Sequence, residues 1–366
     1  MSNPLFTPYQ LGRARLKNRL VMAPLTRSRA IGNMPNGLMA RYYEQRNGAG
    51  LIITEGTSPS PNGLGYPRIP GLFNAEQAEA WKNITARVHK GGSHIFVQLM
   101  HTGRIGHALN LPEGAKILAP SAVKPDGQQM YTDQEGMKEI GTPQAMTAAE
   151  VEAAIGEHVQ AARYAIAAGF DGVELHGANG YLIEQFLNPK SNVRADEYGG
   201  SVENRARFLL DMADRVGEAI GADKVGVRLS PFGVNAGMPV YDEAETIEMY
   251  QYLAEALNGR AVYLHIADHS SMGAPEVPQS LKESMRNAFS GTFLLSGGYD
   301  QERAVSDLEA GRGDLVAFGR MWLANPDLDE RFRAEAELNT PDFDTFYTPG
   351  EKGYTDYPAL AEASQG

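Results

Sequence analysis

The stretch Thr292–Arg320 reads TFLLSGGYDQERAVSDLEAGRGDLVAFGR. Two apolar runs of strand length, Thr292–Gly297 and Leu315–Arg320, flank a segment of helical character, Gln301–Glu309. Near-continuous apolarity marks strands covered on both faces, and a helix between two strands returns the chain so that they lie parallel. Glycine marks the end of both runs, as Gly297-Gly298 in the first and Gly319-Arg320 in the second. The number of such strand–helix–strand units then separates an open sheet from a closed barrel.

Six further runs of the same kind precede this stretch: Arg19–Pro24, Leu51–Gly56, His94–Leu99, Gly172–His176, Val225–Ser230 and Tyr263–Asp268. Helical segments alternate with them. Ala75–Lys90 carries Trp81, Ile84 and Val88 on one stripe, and Thr147–Ala168 opens with the capping pair Thr147 and Glu150. Ser201–Ile220 begins in the same way with Ser201 and Asn204, a weaker partner, and Asp242–Leu257 follows. Eight parallel strands close a (β/α)8 TIM barrel. An open doubly wound sheet would place a glycine-rich dinucleotide turn after its first strand. Here Leu25-Thr26-Arg27-Ser28-Arg29 follows that strand, and no G-x-G-x-x-G occurs in the chain. The expected architecture is an α/β barrel forming one domain over residues 1–366. Residues 102–146, rich in Gly and Pro, make an insertion after the third strand, near the mouth where barrel active sites lie. A surface hairpin packed on the barrel side fits that insertion equally well. The aromatic tail beyond Leu338 is irregular and is expected to dock on the body.

Composition sets the limits. The 366 residues include 33 Lys+Arg against 45 Asp+Glu, a net charge of −12, which argues against a nucleic-acid or anionic-membrane surface. With no cysteine, disulfides, zinc–thiolate or iron–sulfur centres and thiol nucleophiles are excluded. No signal segment and no run of apolar residues long enough to span a bilayer is present, so a cytoplasmic location is the default.

Polar residues at the strand ends are the functional candidates. Gly297, Gly298, Gly319 and Arg320 lie in the two loops where such barrels bind phosphate, glycine admitting close backbone approach and arginine adding a bidentate charge. Alternatively the glycines only permit tight turns and Arg320 forms a surface salt bridge. Arg228, late in the fifth strand, either pairs with Glu174 on the fourth or stabilises charge on a ligand. His176, Asn179 and Tyr181 form the densest polar group. An imidazole and a carboxamide there can polarise a carbonyl, and a phenol can deliver a proton. Equally, Asn179-Gly180 is a common turn dipeptide and His176 an ordinary core residue. His265 and His269 read as core and loop residues, and no carboxylate–histidine cluster suggests a metal.

The order and spacing of several motifs go further. Asn18-Arg19-Leu20-Val21-Met22-Ala23-Pro24-Leu25-Thr26-Arg27, Gln98-Leu99-Met100-His101-Thr102-Gly103-Arg104 and His176-Gly177-Ala178-Asn179-Gly180-Tyr181-Leu182 occur in sequence. Tyr198-Gly199-Gly200-Ser201-Val202-Glu203-Asn204-Arg205, Phe318-Gly319-Arg320 and Gly353-Tyr354-Thr355-Asp356-Tyr357-Pro358 follow. Together they resemble the old yellow enzyme family of flavin-dependent ene-reductases over nearly the full length. The resemblance implies FMN held non-covalently at the barrel mouth and reduced by NADPH or NADH. Thr26 would bond the flavin C4 oxygen, and Pro24, Leu25 and Gly56 would contact the ring. Gln98 would bind the pyrimidine edge and Arg228 would face N1 and the C2 oxygen. Gly297, Gly298, Gly319 and Arg320 would take the phosphate.

The same resemblance assigns the chemistry. Activated alkenes (enals, enones, maleimides, nitroalkenes, with nitrate esters as a further class) would bind with their oxygen on His176 and Asn179. Hydride would pass from flavin N5 to the β carbon and Tyr181 would protonate the α carbon. Tyr66, Met100 and Tyr347, with Trp322 a weaker candidate, would wall the substrate pocket. Thr26 and Asn179 place the chain in the family's classical branch. Met100 replaces a common tryptophan, Gln144 a frequent arginine and Gly177 a usual alanine, which bears on substrate range. A phosphate-binding aldolase or isomerase barrel without flavin is the competing reading, but no strand end supplies its lysine. A non-catalytic binding barrel is the third.

Overall fold

A computed structural model describes residues 3–360. Eight parallel strands close a barrel: β1 (Leu20–Met22), β2 (Leu51–Ile53), β3 (His94–Leu99), β4 (Gly172–Gly177), β5 (Val225–Leu229), β6 (Tyr263–Ala267), β7 (Thr292–Ser296) and β8 (Leu315–Phe318). Closure runs through Val316 opposite Leu20 and Phe318 opposite Met22. Seven strands fall within the apolar runs, and β4 extends one residue past its run, to Gly177. Alternate residues explain why those runs are apolar throughout. Val21, Leu51, Ile53, Phe96 and Leu294 fill the barrel interior, whereas Leu20, Met22, Ile52, Ile95 and Val97 pack outward under the helices. An N-terminal hairpin, Tyr9–Leu11 paired with Ala14–Leu16, adds Leu11 and Leu16 to that interior cluster.

The barrel helices are α1 (Gly37–Glu44), α2 (Ala75–Lys90), α3 (Ala148–Ala167), α4 (Val202–Ile220), α5 (Glu243–Ala256), α6 (Gln279–Ala288), α7 (Gln301–Glu309) and α8 (Leu328–Ala334). Local chemistry sets their starts. Thr147 and Glu150 form a reciprocal capping box on α3, and Ser201 Oγ accepts the Asn204 amide at 3.3 Å on α4. Trp81, Ile84 and Val88 of α2 are all fully buried, as their spacing requires. Among the described residues no helix is long and apolar enough to cross a membrane.

The insertion unites its two readings. It does contain a surface hairpin, Gln129–Thr132 against Gly136–Glu139. That hairpin also stands at the mouth, because Met130 and Ile140 pack with Ile105 against Tyr66 and Tyr181. The tail docks by a different device. Arg27 and Arg29 are buried without carboxylate partners among the described residues and donate instead to tail carbonyls: Arg27 Nη2 to Gly353 (2.6 Å), and Arg29 to Thr345 (2.8 Å), Phe346 (2.7 Å) and Lys352 (2.9 Å). Tyr354 stacks on Tyr42 of α1 at 4.0 Å. Irregular backbone thereby has its polar groups satisfied inside the protein.

Candidate active site

The C-terminal ends of the strands open into a cavity of about 520 Å³, well within the size of small-molecule sites. Pro24, Leu25 and Thr26 line it from the turn after β1, Gln98 from β3 and Met100 just after it, and Arg228 from β5. His176 lines it from β4 and Asn179 and Tyr181 from just beyond it, Gly297 and Gly298 beyond β7, and Gly319 and Arg320 beyond β8. Tyr347 reaches it from the tail and remains 61% exposed.

Beneath the floor lies a buried polar network. Glu174 of β4 accepts Gln98 Nε2 at 2.8 Å, Tyr263 OH at 2.9 Å and His265 Nδ1 at 2.8 Å. Burial alone would raise its carboxyl, but His265, Arg228 and Gln98 hold it below the usual range. Burial in turn lowers His265, so the pair is a carboxylate accepting from a neutral imidazole. With its Nε2 committed to Glu174, Gln98 has Oε1 to offer to the cavity.

Arg228 departs from the expected pairing with Glu174. Its guanidinium is only 7% exposed, yet among the described residues no carboxylate lies within ion-pair distance and its Nε has no hydrogen-bond partner. Glu174 acts on it only as a field that partly offsets the lowering by burial. A buried guanidinium left open toward a cavity is costly unless an anion or acceptor completes it. Arg320 likewise lacks the surface salt bridge. No carboxylate lies within 4 Å among the described residues, and its guanidinium sits 5.4 Å above the Phe343 ring.

The β7 turn requires its glycines. Gly297 has φ +119°, and a Cβ there would fall 2.0 Å from the Asp268 carbonyl oxygen. At Gly298, φ +62°, it would fall 2.7 Å from Ser271 Cβ. Gly319 carries no such demand, its nearest neighbour being Leu25 Cδ2 at 3.4 Å. Gly56 does not line the cavity; a Cβ there would meet Met100 Sδ at 2.4 Å, so this glycine seats the methionine that does.

The three polar residues at the end of β4 line one cavity wall. His176 is buried with Nδ1 unpartnered; burial, reinforced by Arg228, His265 and His269, pushes it well below its ordinary pKa and keeps it neutral. Asn179 holds φ +61°, its amide donating to Ser230 Oγ at 3.0 Å. Tyr181 OH donates to Tyr66 OH at 3.0 Å, and burial with the Tyr66 contact raises its pKa well above 10. The Tyr181 ring stands edge-on to His176, with centroids 5.0 Å apart. Tyr66 therefore touches the site through Tyr181 and does not line the cavity itself. Trp322 is buried away from it, and its neighbours Met321 and Leu323 form the wall instead.

Reading residues along the chain missed Asp268, Ser271, Met321 and Phe346 as lining groups, since each lies in a loop, short helix or tail with no periodic signal. His269 is a loop residue, as read from the chain, but it also lines the cavity, and its Nε2 lies 2.6 Å from Asn179 Oδ1. Only its position just past β6 hinted at this.

An unsatisfied buried guanidinium, an open glutamine acceptor and a glycine turn with a free arginine together suit a planar, anion-forming heterocycle that carries a phosphate. That donor set fits FMN and defines a flavin-dependent oxidoreductase of the TIM-barrel type. The family model described as NADH:flavin oxidoreductase / NADH oxidase matches residues 4–339. 12-Oxophytodienoate reductase 7 of Oryza sativa subsp. japonica is 42% identical over 379 residues, covering 98% of this chain and 95% of the relative. 12-Oxophytodienoate reductase 2 of Arabidopsis thaliana is 40% identical over 364 residues, with 98% and 96% covered. Among solved structures, morphinone reductase superposes with a TM-score of 0.94 at 44% identity, over 99% of this chain and 98% of its own. A morphinone reductase complex with tetrahydroNAD matches at 0.92 and 44%, over 97% of each chain. The chain belongs to the NADH:flavin oxidoreductase / NADH oxidase family, the old yellow enzymes, with FMN as cofactor and a nicotinamide as reductant.

Proposed function

We propose that the enzyme reduces alkenes conjugated to a carbonyl, nitro or imide group, with His176 and Asn179 binding the activating oxygen and Tyr181 supplying a proton. The observation that carries this reading is the convergence of a neutral imidazole, a carboxamide and a high-pKa phenol on one cavity wall. FMN, when bound, supplies the hydride that it receives from reduced nicotinamide. Arg228 and Gln98 would hold the flavin's pyrimidine edge, Thr26 with Pro24 and Leu25 the ring, and Gly297, Gly298, Gly319 and Arg320 the phosphate.

The protein's own part is position and field. A neutral imidazole and an amide N–H bond a ground-state carbonyl weakly and a developing enolate strongly, so they favour the transition state over the substrate. The phenol keeps its proton at neutral pH and releases it only to a strongly basic centre such as the forming α carbanion. Relatives named for morphinone and 12-oxophytodienoate, both ketones by name, agree with an oxygen-clamping site. Small activated alkenes, with nitrate esters as a further class, are the substrates and the cytoplasm the location under this reading.

Purified protein should be yellow, and the pigment released by heat should migrate as FMN. Under anaerobic conditions NADH or NADPH should bleach it, and 2-cyclohexenone or N-ethylmaleimide should restore the colour. Bleaching that no conjugated alkene reverses would refute the ene-reductase reading while leaving the flavin assignment intact.

A further inference from the structure

Asn179 can serve as an oxygen clamp only if its carboxamide presents Nδ2 to the cavity. A half-turn about its last bond would present Oδ1 instead, an acceptor facing an acceptor. The backbone is already held, by the bond from Asn179 N to Ser230 Oγ and, behind it, by Ser230 Oγ donating to Glu184 Oε1 at 2.9 Å. Neither contact touches the side-chain amide. The one hydrogen-bond partner of that amide among the described residues is His269, whose Nε2 lies 2.6 Å from Oδ1 across 90 residues of sequence.

We infer that His269 is a positioning residue: it donates its Nε2–H to Asn179 Oδ1, so that Nδ2 is left as the donor for the substrate's activating oxygen. The assignment rests on the clamp reading of the preceding section and deepens it. His269 lines the same cavity and is nearly buried, so solvent competes poorly for this bond. Burial and the Arg228 charge lower its pKa to about 4, against a raising influence from Asp268. It is therefore neutral at working pH and carries a single ring proton. The tautomer then decides the amide's orientation: Nε2–H matches Oδ1, whereas Nδ1–H would draw Nδ2 toward the ring and turn the acceptor inward. Lys282 Nζ, 2.5 Å from Asp268 Oδ2, balances the one acidic side chain beside it in the sequence.

The test is a double-mutant cycle on the FMN-loaded enzyme, reading reoxidation by 2-cyclohexenone and the affinity for a phenol that perturbs the flavin spectrum. His269→Ala should slow reoxidation and weaken phenol binding about tenfold, the loss of one well-formed hydrogen bond. His269→Gln, which keeps a donor at that place, should recover most of both. In an Asn179→Ala background, His269→Ala should change neither. Equal losses in the two backgrounds, or a glutamine variant as poor as alanine, would overturn the assignment, as would an Nδ1–H tautomer seen by nitrogen NMR of the holoenzyme. Failure of the ene-reductase reading looks different: the unmutated enzyme is then not reoxidised by the enone, while the phenol titration and the tautomer still report on His269.

Discussion

Tyr181 shows how one residue acquires a role from its surroundings. Its phenol is hydrogen-bonded to Tyr66 and edge-on to His176, and burial of the hydroxyl together with the Tyr66 contact keeps the proton on the oxygen. Tyr181→Phe preserves the ring packing and removes the hydroxyl, with its proton and its bond to Tyr66. Stopped-flow measurement should find alkene reduction slowed about a hundredfold or more, while flavin reduction by nicotinamide stays within about threefold. Equal slowing of both steps would make the phenol a structural group. His176, Asn179 and Tyr181 could be picked out from the chain alone because they share one short segment after a strand. His269 could not, since its partner is 90 residues away and its meaning depends on which ring nitrogen carries the proton. Arg228 was visible as an anomaly, a charge in an apolar strand, but its lack of an ion-pair partner is a matter of three-dimensional distance.

At the scale of elements, the regular pieces announce themselves and the irregular ones do not. Capping residues and apolar stripes marked α2, α3, α4 and α7 to within a residue or two. The short helices Leu182–Leu187 and Arg320–Ala324 carry no such period: the first is buried on every side and the second is only five residues long. The tail is the extreme case, an irregular strap whose carbonyls are satisfied by buried arginines. Arg29 alone bonds Thr345, Phe346 and Lys352, and Phe346 and Tyr347 line the cavity. Replacing Arg29 with methionine strands several carbonyls at roughly 1–3 kcal/mol each. Hydrogen exchange over residues 345–353 should accelerate at least tenfold and FMN should be retained less tightly. Unchanged exchange would show that the strap is held by its aromatic contacts alone.

Across the whole molecule, stability should depend on pH through buried carboxyl and imidazole groups that do not line the cavity. Burial raises the Glu184 carboxyl to about 7, against hydrogen bonds from Gly180, Ser230 and Tyr250 that lower it. Glu184 is then protonated in the folded protein where the unfolded chain is already ionised. Stability is lost as pH rises from about 4.5 to about 7, on the order of 3 kcal/mol for a shift of that size, and is level above it. Buried His101 and His158, lowered by burial to about 3 and about 4, act in the opposite direction. They resist protonation that the unfolded chain accepts below about 6.5, so acid destabilises through them. Glu184→Gln removes only the first effect. Its Tm relative to the unmutated protein should therefore climb between pH 5 and pH 8, and a pH-independent difference would show that Glu184 does not titrate there.

Eight apolar runs, their helical spacers and the glycine endings were enough to specify a closed parallel barrel and to order its strand ends around one mouth. Periodicity and local caps act over a few residues, and those interactions are written in linear order. Tertiary placement alone decided three matters: the unpaired guanidinium of Arg228 among the described residues, the hairpin that packs Met130 against Tyr66 and Tyr181, and the histidine brought to 2.6 Å from the Asn179 carboxamide. Each turns on an angstrom-scale distance between segments remote in the chain, or on the burial that this distance creates, and neither quantity has a local signature.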